Sequence, residues 1–237
     1  ANTGLTNQGA DAIAIGQDAG SQAQGINAVA IGEDAGETDQ SSKAIAIGKQ
    51  AGKTTQGISS IAIGEQAGET TQGESSVAIG NLAGNVTQSN YAIAVGNGAG
   101  QTNQGAGIAI GMHSGKDNQS GNGIGIGFEA GKTTQSQHGV AIGALAGKTT
   151  QGESSVAIGK QAGRDNQGSS AVAIGNLAGL DNQHNNSIVI AASGSALNTA
   201  QTGQFLVKPV RNVAGTLPTG FSQVAYNPTT GEFIYYG

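Results

Sequence analysis

Few residues of this chain could do chemistry, and they lie scattered through a polar, glycine-rich sequence. The chain contains three histidines and no cysteine, so disulfides, zinc–thiolate sites and thiol catalysis are excluded. His113, His138 and His184 lack metal-site spacing, and no Gly-x-Ser-x-Gly, His-Glu-x-x-His or calcium-loop pattern occurs. Because catalysis needs paired titratable groups in a pocket, we expect a non-enzymatic protein without metal or cofactor.

The candidates for ligand contact are the aromatic side chains of the first 190 or so residues and their neighbours. Tyr91 and Phe128 are the only aromatic residues there. Such side chains supply contact area at low entropic cost, so they could bind a ligand. The alternative is local packing around a break in the repeat that lies close to Tyr91. The candidate ligand-binding residues are Tyr91, Met112, His113, Phe128 and His138.

A repeat of sixteen residues carries these side chains. A second glycine follows the first glycine of each copy by four residues, and a glutamine follows four residues later. The spacing is sixteen throughout, except for one interval of fifteen between Gly96 and Gly111. A fixed short period predicts a solenoid. The first glycines are Gly16, Gly32, Gly48, Gly64, Gly80, Gly96, Gly111, Gly127, Gly143, Gly159 and Gly175.

Each copy is long enough for two short strands and two tight turns, but not for a helix and a strand. The β-branched run 13–15 is typical of one strand, and 54–56 predicts the second. The glycines fall where the chain must reverse. Coils stacked about 4.8 Å apart would make a rod of roughly 55 Å. The predicted fold class is all-β, a parallel β-roll solenoid of 16-residue coils.

The residue between the two β-branched positions is almost always alanine, as in Ala14, Ala30 and Ala46. Strand side chains alternate between two faces, so one face is kept small and both are apolar. A face open to water would tolerate polar residues. We therefore predict that the alanine face packs against another chain and that the protein is an oligomer.

Two polar columns also run along the predicted rod. The glutamines, from Gln24 to Gln183, predict a structural amide ladder, with a flat ligand-binding array as the alternative. Glu33, Lys49 and Glu65 alternate in sign, which predicts cross-coil pairing. A further column stacks like charges, which favours a solvated face. Its members are Lys116, Lys132, Lys148 and Arg164.

The composition changes after residue 192. Six of the eight aromatic residues and all three prolines lie between Phe205 and Gly237. Residues 205–211 favour an edge strand, and 224–227 and 232–236 flank a Pro-Thr-Thr-Gly turn typical of a hairpin. We predict a β-roll repeat domain at 1–192 and a small, β-rich, trimeric cap or tip at 193–237.

Two stretches carry family resemblances. The tandem pattern Ser-Val-Ala-Ile-Gly at 76–80 resembles the head repeats of trimeric autotransporter adhesins, which implies a homotrimeric left-handed roll. Residues 205–211 and 225–235 resemble the segment before the intramolecular chaperone of phage and viral tail fibres, which trimerises the fibre and then cuts itself off. The period of sixteen departs from the roughly fourteen usual in the adhesins.

These resemblances imply a trimeric fibre tip that attaches to a host or prey cell surface through a glycan or another receptor. It would be extracellular, on a virion fibre or a bacterial surface. The net charge of −5 lacks the basic stripe that nucleic acid needs, and no apolar run approaches a membrane span. The alternatives are a structural spacer, an ice- or mineral-binding face of Thr and Asn columns and, least favoured, a polysaccharide-degrading enzyme.

Overall fold

The apolar triplets of successive copies form short strands that pair in parallel along the rod. The computed structural model describes residues 3–4, 6–210, 223–226 and 233–236. Within these residues it contains strands and turns and no helix, and the prediction of an all-β parallel solenoid of 16-residue coils is confirmed. The predicted second strand is confirmed in eight of the coils, as at Thr55–Gln56.

The strands are, in chain order, β1 (Ile13–Ile15), β2 (Gln22–Gln24), β3 (Val29–Ile31), β4 (Thr38–Gln40), β5 (Ile45–Ile47), β6 (Thr55–Gln56), β7 (Ile61–Ile63), β8 (Thr71–Gln72), β9 (Val77–Ile79), β10 (Val86–Gln88), β11 (Ile93–Val95), β12 (Thr102–Gln104), β13 (Ile108–Ile110), β14 (Asp117–Gln119), β15 (Ile124–Ile126), β16 (Thr133–Gln135), β17 (Val140–Ile142), β18 (Val156–Ile158), β19 (Val172–Ile174), β20 (Ile188–Ala191), β21 (Phe205–Lys208), β22 (Gln223–Tyr226) and β23 (Phe233–Tyr236).

Two parallel sheets run the length of the solenoid. The first sheet has thirteen strands, from β1 to β21, and each triplet pairs with the same triplet one coil away, as Ala30 pairs with Ala46. The second sheet has eight strands, β2 to β16, and single bridges such as Gln151 to Gln167 continue it. Across the fifteen-residue interval Ile93 still pairs with Ile108, so the turn absorbs the missing residue.

The interior of the solenoid is filled by small side chains. The central alanine of each triplet is fully buried, as at Ala30, Ala46 and Ala62, and it packs against a second alanine column that includes Ala35 and Ala51. The prediction that the central alanines face another chain is therefore wrong. They point inward, because a sixteen-residue coil of two short strands and two turns encloses a narrow interior that small side chains fill.

The bulky members of each triplet consequently point outward. Strand alternation places both flanking Ile or Val side chains opposite the central alanine. Ile79 and Ile142 keep 37% and 36% of their surface exposed in the single chain. A buried methyl contributes about 0.8 kcal/mol, whereas a fully buried isoleucine contributes roughly 1.5–3 kcal/mol. More than a third of the surface of each of these isoleucines therefore remains uncovered in one chain.

The glutamine column forms the predicted amide ladder, and the structure places it in the interior. Gln151 is fully buried, its Nε2 donates to the Val140 carbonyl oxygen at 2.8 Å, and its Oε1 accepts from Gln135 Nε2 at 2.9 Å. The same pair of contacts recurs along most of the rod. Only Oε1 of Gln40 and Oε1 of Gln88 lack a donor among the described residues. The amides thus tie each coil to its own first strand and to the next coil.

The two repeated glycines are required by the corners. Gly48 has a φ of 128°, and a Cβ there would stand 2.7 Å from the backbone of Gly64 in the next coil. Gly52 has a φ of 52°, and a Cβ there would meet the Gln56 amide at 2.7 Å. Both backbone conformations are ones that a side chain disfavours. The first glycine permits close stacking of coils, and the second makes space for the glutamine.

The chain continues the first sheet beyond the last repeat. β21 pairs in parallel with β20, with Ile188 opposite Phe205, so the predicted edge strand is present. β22 and β23 pair antiparallel, as predicted for a hairpin. The turn between them, together with Arg211, Pro218 and Pro228, lies outside the described residues. The division into domains at residue 192 stays a prediction.

Replacing one buried glutamine tests the ladder. We expect Gln151→Ala to lower the free energy of unfolding by about 2–4 kcal/mol, because it removes the buried hydrogen bonds of the Gln151 amide with Val140, Gln135 and Gln167 and opens a cavity. Urea denaturation followed by circular dichroism measures the change. The matched control is Gln137→Ala, since Gln137 is exposed and its side chain bonds no described residue. An equal loss in both variants would contradict a structural role for the ladder.

Candidate functional site

The outward face of the first sheet consists of apolar side chains that the interior of the single chain does not bury. The two β-branched columns of this face run from β1 to β20 without a charged residue. Continuous apolar surface of this kind on a soluble protein marks an interaction site. We call it the apolar face. Side chains on it that are more than a third exposed include Ile13, Ile15, Ile63, Ile79, Ile110, Ile142, Ile158, Ile174, Ile188 and Ile190.

The candidate ligand-binding residues lie along the two margins of the apolar face. Met112 and Phe128 each follow the end of a first-sheet strand by two residues, and His113 comes next to Met112. Tyr91 and His138 each precede the start of such a strand by two residues, on the opposite margin. The topology therefore divides the five residues into two groups, and their role in binding stays a prediction.

The first margin brings Met112 and Phe128 together. The backbone N–H of Glu129 donates to the Met112 carbonyl at 2.9 Å, which stacks the two corners directly. Met112 is 47% exposed and Phe128 43%. The His113 ring lies over the preceding corner, where a Cβ on Gly98 would come within 2.7 Å of it. This margin is thus an exposed apolar pair beside a polar corner.

Glu129 lies beside the column of like charges that contains Lys132 and Lys148, and it neutralises part of that column. Its carboxylate forms ion pairs with Lys132 at 2.7 Å and with Lys148 at 2.9 Å. The hydrogen bond from Lys132 in particular, with that from Lys148, lowers the pKa of Glu129 against the opposing effect of burial. Arg164 likewise contacts Asp165 and Asp181. The expected stack of like charges is therefore interleaved with acids from neighbouring columns.

The cross-coil pairing predicted for the acidic half is also present. Lys49 lies 3.2 Å from Glu33, and Lys53 lies 3.1 Å from Asp34 and 3.5 Å from Glu37. Hydrogen bonds from Lys53 and Gln50 outweigh desolvation, the largest single influence, and lower the pKa of Asp34. These pairs lie at the surface, where such interactions contribute little stability.

The opposite margin contains the break in the repeat. In an ordinary coil the corner closes with a four-residue turn, as where the Ala92 N–H donates to the Ser89 carbonyl. In the fifteen-residue coil the Gly107 N–H donates to the Gly105 carbonyl at 2.6 Å, so a three-residue turn replaces it. The position that would stack on Tyr91 is missing, and Tyr91 is 68% exposed.

A shallow cavity of about 290 Å³ lies beside this shortened corner. We call it the notch. Asn103 Nδ2 donates to Asn118 Oδ1 at 3.0 Å across its floor. Sequence reasoning did not identify the notch, although the spacing of fifteen between Gly96 and Gly111 was the signal for it. Its lining residues are Thr87, Ser89, Asn103, Gln104, Gly105, Asn118, Gln119 and Ser120.

Across residues 3–4, 6–210, 223–226 and 233–236, no group of three or more His, Asp or Glu side chains is placed to hold a metal ion. No helix in that part of the chain is long and apolar enough to cross a bilayer.

Comparisons with family models, curated proteins and solved structures gave no match to this chain.

The ion pairs of Glu129 predict a pH-dependent contribution to stability. A carboxyl group whose pKa is lowered by folding stabilises the protein above its ordinary pKa of 4.5, and this contribution is lost as the pH falls below that value. We expect Glu129→Gln to be less stable than the parent protein near neutral pH, with the difference shrinking below pH 4.5. Urea denaturation at several pH values measures it.

Glu153 supplies the control, since it is exposed and forms no ion pair with a described residue. Glu153→Gln should show no comparable pH-dependent difference. A Glu129→Gln difference that stays constant, or grows towards acid pH, would contradict the assignment.

Proposed function

We propose that the chain is a segment of a homotrimeric extracellular fibre that attaches to a cell-surface glycan. The observation that carries the proposal is the apolar face. An interior built of alanine and glutamine stabilises a single chain weakly, while two outward columns of Ile and Val offer about twelve rungs of apolar surface. Covering the remaining third of each isoleucine would contribute on the order of 1 kcal/mol per side chain.

A closed ring of like chains covers this face without leaving an edge. Most soluble oligomers are symmetric assemblies of one chain, and a flat stripe along a rod suits parallel neighbours around an axis. The resemblance of residues 76–80 to trimeric adhesin heads supports three chains over two. The Met112–Phe128 pair extends the apolar surface at one margin, at the level of β13 and β15.

Attachment to a host or prey surface is the function that suits such an assembly. A thin rod of parallel coils has repeated, solvent-facing polar columns and no enclosed pocket of paired titratable groups among its described residues, which favours binding over catalysis. The resemblance of the C-terminal residues to fibres matured by an intramolecular chaperone supports a virion fibre. The adhesin-like repeat supports a bacterial surface protein equally.

A structural spacer is the second candidate. The division of the five candidate residues between two margins favours it, because single exposed aromatics on separate edges do not form one binding site. The two functions differ in a whole-cell binding assay with the isolated chain. A spacer would bind no surface, and Tyr91→Ala or Phe128→Ala would leave attachment by the complete fibre unchanged.

Charges placed on the apolar face test the assembly. The parent protein is expected to have three times the 23.1 kDa mass of one chain in light scattering. Ile79→Lys combined with Ile142→Lys should reduce it to the mass of one chain, because buried unpaired charges are strongly unfavourable. Thr71→Lys with Thr150→Lys, at exposed positions of the other face, is the matched control and should keep the assembly.

A parent protein that is monomeric and fully folded would overturn the proposal of a fibre assembled through this face. A dimer would retain the interface and refute the trimer.

A further inference from the structure

We infer that the notch at the shortened corner binds a neutral sugar unit of a glycan. The inference rests on the proposed function and names the site and the ligand class for it. Among the intervals that separate the first glycines, the one that ends at Gly111 is the only one of fifteen residues. The notch therefore gives an otherwise uniform rod one distinct place.

The polar groups of the notch are oriented but not satisfied. The hydrogen bond from Asn103 to Asn118 fixes both amides and leaves Asn103 Oδ1 and Asn118 Nδ2 without partners among the described residues. The hydroxyls of Thr87, Ser89 and Ser120 likewise bond no described residue. The notch thus presents a fixed acceptor, a fixed donor and three rotatable hydroxyls, which can act as either. Such a mixed set suits the hydroxyl groups of a sugar.

The charge and size of the notch narrow the ligand class. None of its eight lining residues is ionisable, so nothing there would compensate a carboxylate, sulfate or phosphate brought into it. Its volume of about 290 Å³ lies at the lower end of the range for small-molecule sites, roughly 300–1,000 Å³. One or two sugar rings are therefore the appropriate size, and the ligand is a neutral saccharide.

We expect Tyr91, an exposed aromatic residue close in sequence to the lining residues, to supply the apolar contact that a sugar ring needs. It follows Ser89 by two residues, at the corner where the neighbouring coil has lost its stacking residue. Its side chain is 68% exposed. An aromatic ring with one exposed side can pack against the C–H face of a pyranose, while its hydroxyl stays in water.

The notch would remain accessible in the proposed trimer. Its lining comes from β10, β12 and β14 of the second sheet and the turns that follow them, whereas the apolar face belongs to the first sheet. A trimer would display three copies at the same height on the rod. Three weak sites on one rigid body bind a repetitive surface far more tightly than a single site does.

The test is an NMR titration of the ¹⁵N-labelled protein with the methyl glycosides of glucose, galactose, mannose and N-acetylglucosamine. At least one should bind with a dissociation constant on the order of 1 mM. The methyl glycoside of sialic acid, which is charged, should bind no better than the neutral sugars. Shifts should concentrate on the amides of the lining residues.

Asn103→Ala with Asn118→Ala should weaken binding roughly tenfold or more, since two polar contacts are lost. The matched control is Asn166→Ala with Asn182→Ala. That pair has the same amide bond, at 3.1 Å, and the same positive φ, but it lies in coils of ordinary length. Two further variants leave Asn103 and Asn118 unchanged. Tyr91→Ala should weaken binding, and an asparagine inserted between Ala106 and Gly107, which restores sixteen residues, should abolish it.

The inference is overturned if none of the neutral glycosides binds. It is also overturned if the control variant loses binding as much as the Asn103→Ala, Asn118→Ala variant does, or if the insertion variant still binds. The titration measures sugar binding at the notch in any oligomeric state, so its result does not depend on whether the protein is a trimer. Attachment of the Asn103→Ala, Asn118→Ala trimer to cells at parent strength would refute the notch and leave the proposed function standing.

Discussion

The narrowness of the coil interior is the constraint on which the other features depend. Each coil makes two turns in sixteen residues, and the space enclosed is filled mainly by alanine methyl groups and one extended glutamine amide. Ala30 and Ala35 approach each other across it, and the side chain of Gln40 lies against Gly36, where a Cβ would clash with the amide at 2.7 Å. Small residues inside therefore determine which residues lie outside, because the strands alternate.

Because the small side chains lie inside and the large apolar ones outside, hydrogen bonding and apolar burial act in different parts of the molecule. Hydrogen bonds hold the single coil stack together: backbone pairing along both sheets and amide bonds such as that from Gln151 to Val140. Burial of large apolar side chains normally dominates folding, but here those side chains lie on the outside of the single chain. The consequence is a rod whose geometry is fixed by its own backbone and whose apolar stabilisation is completed by the neighbour that covers Ile79 and its column.

Much of the fold follows from spacing alone. The paired glycines predict the turns, the β-branched triplets predict the first sheet, and the glutamines predict an amide ladder, although not its burial. The direction of the alanines could not be predicted in the same way, since alternation identifies two faces without saying which is interior. The second alanine column, at positions such as Ala35 and Ala51, was the available clue. An inward alanine needs a small residue opposite it, and an outward one does not.

The candidate site was predicted less completely. Exposed aromatics were recognisable, but only the topology places Tyr91 and Phe128 on opposite margins of one sheet. The interval of fifteen was visible, yet the cavity beside it depends on how the turn at Gly105 tightens and on where Asn103 and Asn118 meet. Such local geometry follows from hydrogen bonding between coils, which a list of residues does not contain.

Because the chain has no cysteine, single introduced cysteines can report the solvent accessibility of the two faces of one strand. We expect Val189→Cys, at a fully buried central position of β20, to be protected from a maleimide reagent in the folded protein, while Ile190→Cys, next to it and 39% exposed, forms disulfides between chains under mild oxidation. Labelling of Val189→Cys as fast as in the unfolded chain, with Ile190→Cys failing to cross-link, would contradict the inward central column and the shared apolar face together.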